Sequence, residues 1–231
     1  MQGDAEFDRY QQTYRDEIDQ AVRFTGLKAN FFARAKAEYL KDIAASHFDN
    51  TKQCSVLDFG CGIGLYAPLL RDAFGHMTGV DVSAACVTRA RNDNPGLDFE
   101  VYDGKTLPFA DESFDLTYAI TVLHHVPPSD WLRTAREILR VLKSGGLLAI
   151  FEHNPCNPLT MRVVRNCIFD TDAVLLQGAE TVQLMEHAGF RNVVLRYILT
   201  LPVRGRLLRH LDMGFARIPI GAQYYTLGCK L

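Results

Sequence analysis

The sequence predicts a doubly wound α/β domain, a parallel sheet with helices on both faces, on three observations. Strand-length apolar runs alternate with helix-like stretches between about residues 55 and 150, the pattern of right-handed βαβ crossovers. The run Leu147-Leu148-Ala149-Ile150-Phe151 is wholly apolar, as a central strand covered on both faces must be. In VLDFGCGIG, residues 56–64, a short apolar strand runs into a turn carrying Gly60, Gly62 and Gly64. Glycines there prevent a regular continuation and let a ligand approach the main chain closely.

The elements follow in order. Residues 4–24 and 30–46 read as two helices punctuated by Gly26, the second with Phe31, Phe32, Ala35, Tyr39, Leu40 and Ile43 at three and four spacing. Aromatics are dense here (Phe7, Tyr10, Tyr14, Phe24, Phe31, Phe32, Tyr39); they either roof the mouth of the domain as a lid or pack these helices onto the core. Residues 1–50 are accordingly expected to form an N-terminal helical lid, and residues 51–231 the main domain. After the first strand, residues 65–74 read as a helix, against which Pro68 stands at or just past the first turn. Residues 76–82 form a second strand ending in an acid, and Ser83 caps a helix reaching about residue 92. Strands follow at 97–102 and 114–120, then a helix at 131–142 stopped by Lys143-Ser144-Gly145-Gly146, then the fifth strand at 147–151. Beyond residue 152 the pattern loosens around Asn154-Pro155 and Asn157-Pro158. Helices are expected near 160–167 and 181–188, and strands at 190–199 and 222–229.

Composition narrows the function. The 231 residues suffice for one α/β core, and 48% hydrophobic with 23% charged residues is ordinary for a globular chain. A net charge of -2 gives no electrostatic reason to expect nucleic acid, and no apolar run has the length of a signal peptide or membrane span. A cytoplasmic protein, with no nucleic-acid or membrane partner, is expected. The six cysteines are scattered, without CxxC pairs or histidines at zinc spacing, so they read as reduced thiols and no metal centre is expected.

The chemistry concentrates at strand ends. The glycine spacing is GxGxG, with Leu65 where a third glycine of GxGxxG would stand, and Asp58 lies where a dinucleotide-binding dehydrogenase strand is normally apolar. Asp81 closes the second strand, where a carboxylate can accept two hydrogen bonds from a ribose diol. Asp103, beside Gly104 at the end of the third strand, can accept from an adenine amino group.

With these residues in place, the chain resembles the class I S-adenosylmethionine-dependent methyltransferases of the small-molecule, methyltransferase domain 11-like type. VLDFGCGIG resembles motif I, GVDVS the ribose-binding motif, YDGKTLPFADESFD the adenine region and VLKSGGLLAIFEHNP the fifth-strand motif, together covering about residues 55–155. FEHNPCNPLT, FDTDAVLL and PIGAQYY are similar to a bacterial subgroup within that broad family. The resemblance implies a Rossmann-like sheet of seven strands, the last antiparallel, with S-adenosylmethionine as methyl donor and S-adenosylhomocysteine as product. It implies that Asp58 orients the methionine amino group, that Gly60, Cys61 and Gly62 present backbone to the methionine moiety, and that Asp81 holds the ribose with Val82 beside the adenine. Asp103 and Gly104 would contact adenine, and Ile120 or Thr121 would close the floor. Cys61 has a competing reading as a thiol activated at a helix N-terminus.

Open α/β folds bind ligands at the carboxyl ends of their strands, which nominates His125 of LHHVPP and His153 of FEHNP as general bases. The alternative for each is a histidine that hydrogen-bonds only its own loop; His124 is expected to face away. Tyr14, Asn154 and Tyr224 join His125 and His153 as expected substrate contacts. The expected activity is methyl transfer to oxygen or nitrogen, rather than carbon, of a metabolite, natural product or sugar, by a monomer or homodimer. The rivals are an NAD-dependent oxidoreductase and a non-catalytic partner protein that keeps the fold.

Overall fold

The computed structural model describes residues 14–200 and 206–231. Phe7, Tyr10 and the side chain of Tyr14 lie outside the described residues. Seven strands form one sheet: β1 (Ser55–Phe59), β2 (His76–Asp81), β3 (Asp98–Val101), β4 (Phe114–Ile120), β5 (Leu142–His153), β6 (Arg191–Ile198) and β7 (Gln223–Cys229). Their order is β3-β2-β1-β4-β5-β7-β6. The first five strands run parallel, and β7 inserts antiparallel to both β5 and β6. The expected doubly wound sheet with an antiparallel last strand is therefore present. Its order reverses between β1 and β4, the switch point at which such sheets open a crevice.

The helices among the described residues are α1 (Tyr14–Val22), α2 (Ala29–His47), α3 (Ala67–Leu70), α4 (Ala84–Asp93), α5 (Trp131–Val141), α6 (Pro158–Asn166), α7 (Gly178–Ala188) and α8 (Arg206–Met213). Strand alternation sorts the core into two layers. Val56, Leu116, Tyr118, Leu147, Ala149 and Phe151 face α2, which buries Phe31, Ala37, Tyr39, Leu40 and Ile43 there. Leu57, Phe59, Ala119, Leu148 and Ile150 face the other way, against Ala135, Ile138 and Val141 of α5 and Met185 of α7. At about 25 cal/mol per Å² of apolar surface removed from water, these layers are the main source of stability.

Three expectations change. The helix read over residues 65–74 shrinks to α3, whose first turn takes Pro68 where the missing N–H would have had no intrahelical partner. Strand β5 starts earlier than residue 147, at Leu142, so the Gly145-Gly146 pair lies inside it rather than before it. Helix α8 was not legible in the sequence. Helix α1 packs through Ile18 and Ala21 on Val163, Cys167 and Phe169, and Asp19 Oδ1 accepts the Ala29 amide at 2.6 Å, tying α1 to the start of α2.

Candidate active site

A cavity of about 720 Å³ opens at the carboxyl ends of β1, β2 and β4. One half is built by the glycine turn. Gly60 N–H and Cys61 N–H donate to Val80 O at 2.8 and 3.0 Å, folding the chain back over β2. Gly60 has φ +71, and a Cβ there would meet Val122 Cγ1 at 2.5 Å, so only glycine fits. Gly62 also has positive φ, +50, but a Cβ on it would meet nothing within 4 Å.

Asp81 fastens this turn. Its Oδ2 accepts Gly62 N–H at 2.8 Å and its Oδ1 accepts Ser83 N–H at 2.9 Å. Each carboxylate oxygen has two lone pairs and so can accept more than one hydrogen bond. Asp58 is buried beneath the turn, and that burial lifts its carboxyl to about 7; the Tyr118 hydroxyl favours the anion and the Asp81 charge opposes it. Burial, then the charges of Asp58 and Asp81, push the Cys61 thiol far above its ordinary range. That environment is the reverse of an activated thiolate.

Asp103 is exposed at the cavity rim, where its Oδ1 accepts the amides of Lys105 and Thr106 at 2.8 and 2.9 Å. Those backbone bonds, Thr106 first, hold its carboxyl below the usual range. At the end of β4, Thr121 has φ +56, a left-handed conformation that a β-branched residue rarely adopts. Its N–H donates to Phe151 O at 2.7 Å, which holds the turn in place. Every cofactor-side residue named from the sequence lines this one cavity: Asp58, Gly60, Cys61, Gly62, Asp81, Val82, Asp103, Gly104, Ile120 and Thr121.

The other half is a buried polar cluster whose Lys36, His124, His125, His153 and Asp170 line the cavity. His124 Nδ1 lies 2.5 Å from Glu152 Oε2, and Glu152 Oε1 accepts the amides of Val122 and Leu123 at 3.1 and 2.8 Å. His124 Nε2 and His125 Nε2 both face Asp170 Oδ1, at 3.4 and 3.7 Å. Burial alone would lower His124, but Glu152 and Asp170 outweigh it and lift it to about 9. Burial and the neighbouring His124 charge drop His125 to about 3 and His153 to about 4. Lys36, on the apolar face of α2, is lowered by burial to about 8 and coupled to Glu152 and Asp170; its ammonium sits 5.8 Å over the Tyr66 ring.

His125 and His153 line the cavity as expected positions, but three other expectations are corrected. His124 does not face away; it lies between Glu152 and Asp170 and lines the cavity. Asn154 is not a cavity residue: its amide donates to Pro219 O and Gly221 O at 3.0 and 2.7 Å and clasps the two loops together. Tyr224 points to the α7 face, fully buried, with its hydroxyl 2.7 Å from Thr181 Oγ1 and donating to Leu176 O at 2.9 Å. Alternation along β7 instead turns Gln223 to the cavity, with its carboxamide oxygen buried and unbonded. Lys36, Asp170 and Gln223 were missed in the sequence. The one available signal was a lysine among the apolar positions of α2.

Residues 57–150 match the family described as Methyltransferase domain. The methyltransferase GfsG of Streptomyces halstedii is 34% identical over 156 residues, 63% of this chain and 50% of that protein. The Mus musculus protein named "Probable tRNA methyltransferase 9B" is 33% identical over 132 residues, 57% of this chain and 27% of that protein. The chain thus spans half or less of the length of these two relatives. A SAM-dependent methyltransferase from Thermotoga maritima shares the fold, with TM-score 0.68 and 21% identity over 97% of this chain and 98% of that one. The chain thus carries a methyltransferase domain over residues 57–150, and its sheet order is that of the class I S-adenosylmethionine-dependent methyltransferase fold.

Proposed function

We propose that this chain transfers the methyl group of S-adenosylmethionine to an oxygen or nitrogen of a small-molecule acceptor. One observation carries the reading: a single cavity joins acids from three adjacent strand ends, Asp58, Asp81 and Asp103, to His124, His125, His153 and Asp170. The donor fits the first half. The space a Cβ would fill at Gly62 is open for a ligand to touch backbone, and the Asp81 carboxylate stands beside it, lining the same cavity, to accept from a ribose diol. In this reading Asp58 takes the methionine ammonium, Gly60, Cys61 and Gly62 present main chain, Val82, Asp103 and Gly104 hold the adenine, and Ile120 and Thr121 form the floor. When bound, the donor supplies a sulfonium methyl already activated for in-line transfer.

The chain's own residues orient, dry and deprotonate. Ile18, Ala21, Val22, Phe32 and Phe169 give the cavity an apolar roof that excludes water, which is the role assigned to the N-terminal lid over residues 1–50. Holding two reactants in near-attack geometry is worth roughly 7–11 kcal/mol, and a general base about 10²- to 10⁴-fold. Of the two expected bases, His153 is better placed for the acceptor's proton, because His125 Nε2 is turned to Asp170. Gln223 offers its carboxamide oxygen to a donor group on the acceptor. All six cysteines are free thiols, which suits the reducing cytoplasm as working compartment.

Calorimetry against S-adenosylhomocysteine and NAD, followed by transfer of labelled methyl from the donor to pooled small molecules and to tRNA, tests this. Tight binding of S-adenosylhomocysteine with labelled small-molecule product is expected. Protection by NAD alone would establish the oxidoreductase, label on tRNA would move the acceptor to nucleic acid, and no cofactor binding would restore the non-catalytic partner.

A further inference from the structure

His124 and His125 follow β4, and Asp170 closes the 3-10 turn Ile168–Asp170 much later in the chain. The fold brings one nitrogen of each ring to the same carboxylate oxygen, at 3.4 and 3.7 Å. Both separations exceed the roughly 2.7–3.2 Å of an ordinary N–H···O bond. They resemble the edges of a tetrahedron around an ion, since bonds of about 2.0–2.1 Å leave ligand atoms roughly 3.3–3.4 Å apart. The three ligand atoms lie within 4.8 Å of one another.

A second observation points the same way. Glu152 engages His124 on the ring nitrogen opposite the one facing Asp170, at 2.5 Å, and is itself pinned by the amides of Val122 and Leu123. A carboxylate on the remote nitrogen is the usual support of a metal-ligating histidine, fixing its tautomer and raising its basicity. All three donors also line the cavity, so an ion held by them keeps an open position toward an acceptor.

We propose that His124 Nε2, His125 Nε2 and the Asp170 carboxylate bind one divalent first-row transition ion of the zinc class, with Glu152 orienting His124. Two imidazoles and one carboxylate suit zinc or iron(II) and disfavour magnesium and calcium, which take oxygen ligands. Cysteine and histidine spacing could not reveal the site, because two ligands are adjacent and the third comes from a distant turn. Lys36 opposes the ion through its coupling to Asp170 and Glu152, which predicts tighter binding when that charge is removed. Ion binding stands apart from the methyl-transfer reading; only the ion's use in activating an acceptor hydroxyl would rest on it.

The test uses the full chain, stripped with chelator and titrated with Co²⁺ while visible d–d absorption is followed, then with Zn²⁺ by calorimetry. One equivalent of Co²⁺ should develop the absorption of a low-coordinate site, displaced by Zn²⁺ and not by Mg²⁺. His125→Ala and Asp170→Asn should abolish it, Glu152→Gln should weaken affinity about 10- to 100-fold, and Lys36→Met should strengthen it. His76→Ala, at an exposed histidine of β2, should leave it unchanged. Thermal melting of each variant separates lost binding from lost folding. The proposal is overturned if stoichiometric Co²⁺ gives no absorption, if Mg²⁺ competes equally, or if binding survives in a folded His125→Ala/Asp170→Asn double variant.

Discussion

Glu152 closes a three-way junction: one oxygen lies 2.5 Å from His124 Nδ1, and the other gathers the amides of Val122 and Leu123. The fifth strand thereby holds the turn that follows the fourth. In chelator-treated protein, Glu152→Ala should lower stability by about 3–5 kcal/mol, the cost of leaving a buried charge unpaired. Urea unfolding checks the value. A Glu152→Ala/His124→Leu double variant should lose less than the sum of its single variants, and strict additivity would show that the two groups do not act as a pair.

Asp58 should make cofactor affinity depend on pH. Its carboxyl is lifted to about 7 by burial, so below that pH the neutral form must lose a proton before it can pair with the methionine ammonium. Affinity for S-adenosylhomocysteine should rise up to about 10-fold per unit as pH climbs toward 7 and then level off. Calorimetry across pH 5.5 to 8.5 reads this, and in Asp58→Asn the slope should vanish.

The same group carries a stability consequence of the opposite kind. A carboxyl whose folded value is raised costs nothing while it is protonated in both states, and destabilises increasingly as pH rises from its unfolded value toward about 7. Asp58→Asn should therefore match the wild type near pH 4 and exceed it by a few kcal/mol at pH 8, read by urea unfolding. A constant difference across that range would assign the effect to packing rather than ionisation.

Two neighbouring glycines should separate folding from binding. Gly60→Ala places a Cβ 2.5 Å from Val122 Cγ1 at positive φ, and should lower both melting temperature and cofactor affinity. Gly62→Ala meets no atom within 4 Å and should cost only about 1–2 kcal/mol for its left-handed backbone. Its methyl group nevertheless enters ligand space, so affinity for S-adenosylhomocysteine should fall well beyond that stability change. Equal affinity in Gly62→Ala and wild type would mean the ligand does not approach this main chain.

Asp81→Ala should weaken S-adenosylhomocysteine by roughly 10- to 100-fold through two lost charge-assisted bonds. Part of that loss is indirect, since Asp81 also holds the Gly62 amide at 2.8 Å. Titration with a 2′-deoxyribose analogue separates the parts: the variant should discriminate against it less than the wild type does.

The glycine turn and the strand-end acids were readable because their signals are local. Glycine at φ +71 and +50, and acids where strands end, are properties of a few consecutive residues. The opposite side of the cavity was misread where facing depends on pairing. On β7, opposite β5 in the register His153 with Gln223 and Glu152 with Tyr224, a shift of one residue exchanges the cavity face for the core face. Sequence inspection named Tyr224, whereas Gln223 is the residue that lines the cavity. Of the adjacent pair His124 and His125, it favoured the second, although the first sits between Glu152 and Asp170.

What the sequence by itself determined is the alternation of strands and helices, the glycine turn and the acids at Asp58, Asp81 and Asp103, since periodicity and backbone freedom act over short stretches of chain. Only the tertiary structure decided that Lys36 from α2, Gln223 from β7 and Asp170 from a late turn meet His124 and His153 in one cavity. Their convergence depends on the sheet order and on α1 and α2 packing over the switch point, interactions between segments far apart in sequence.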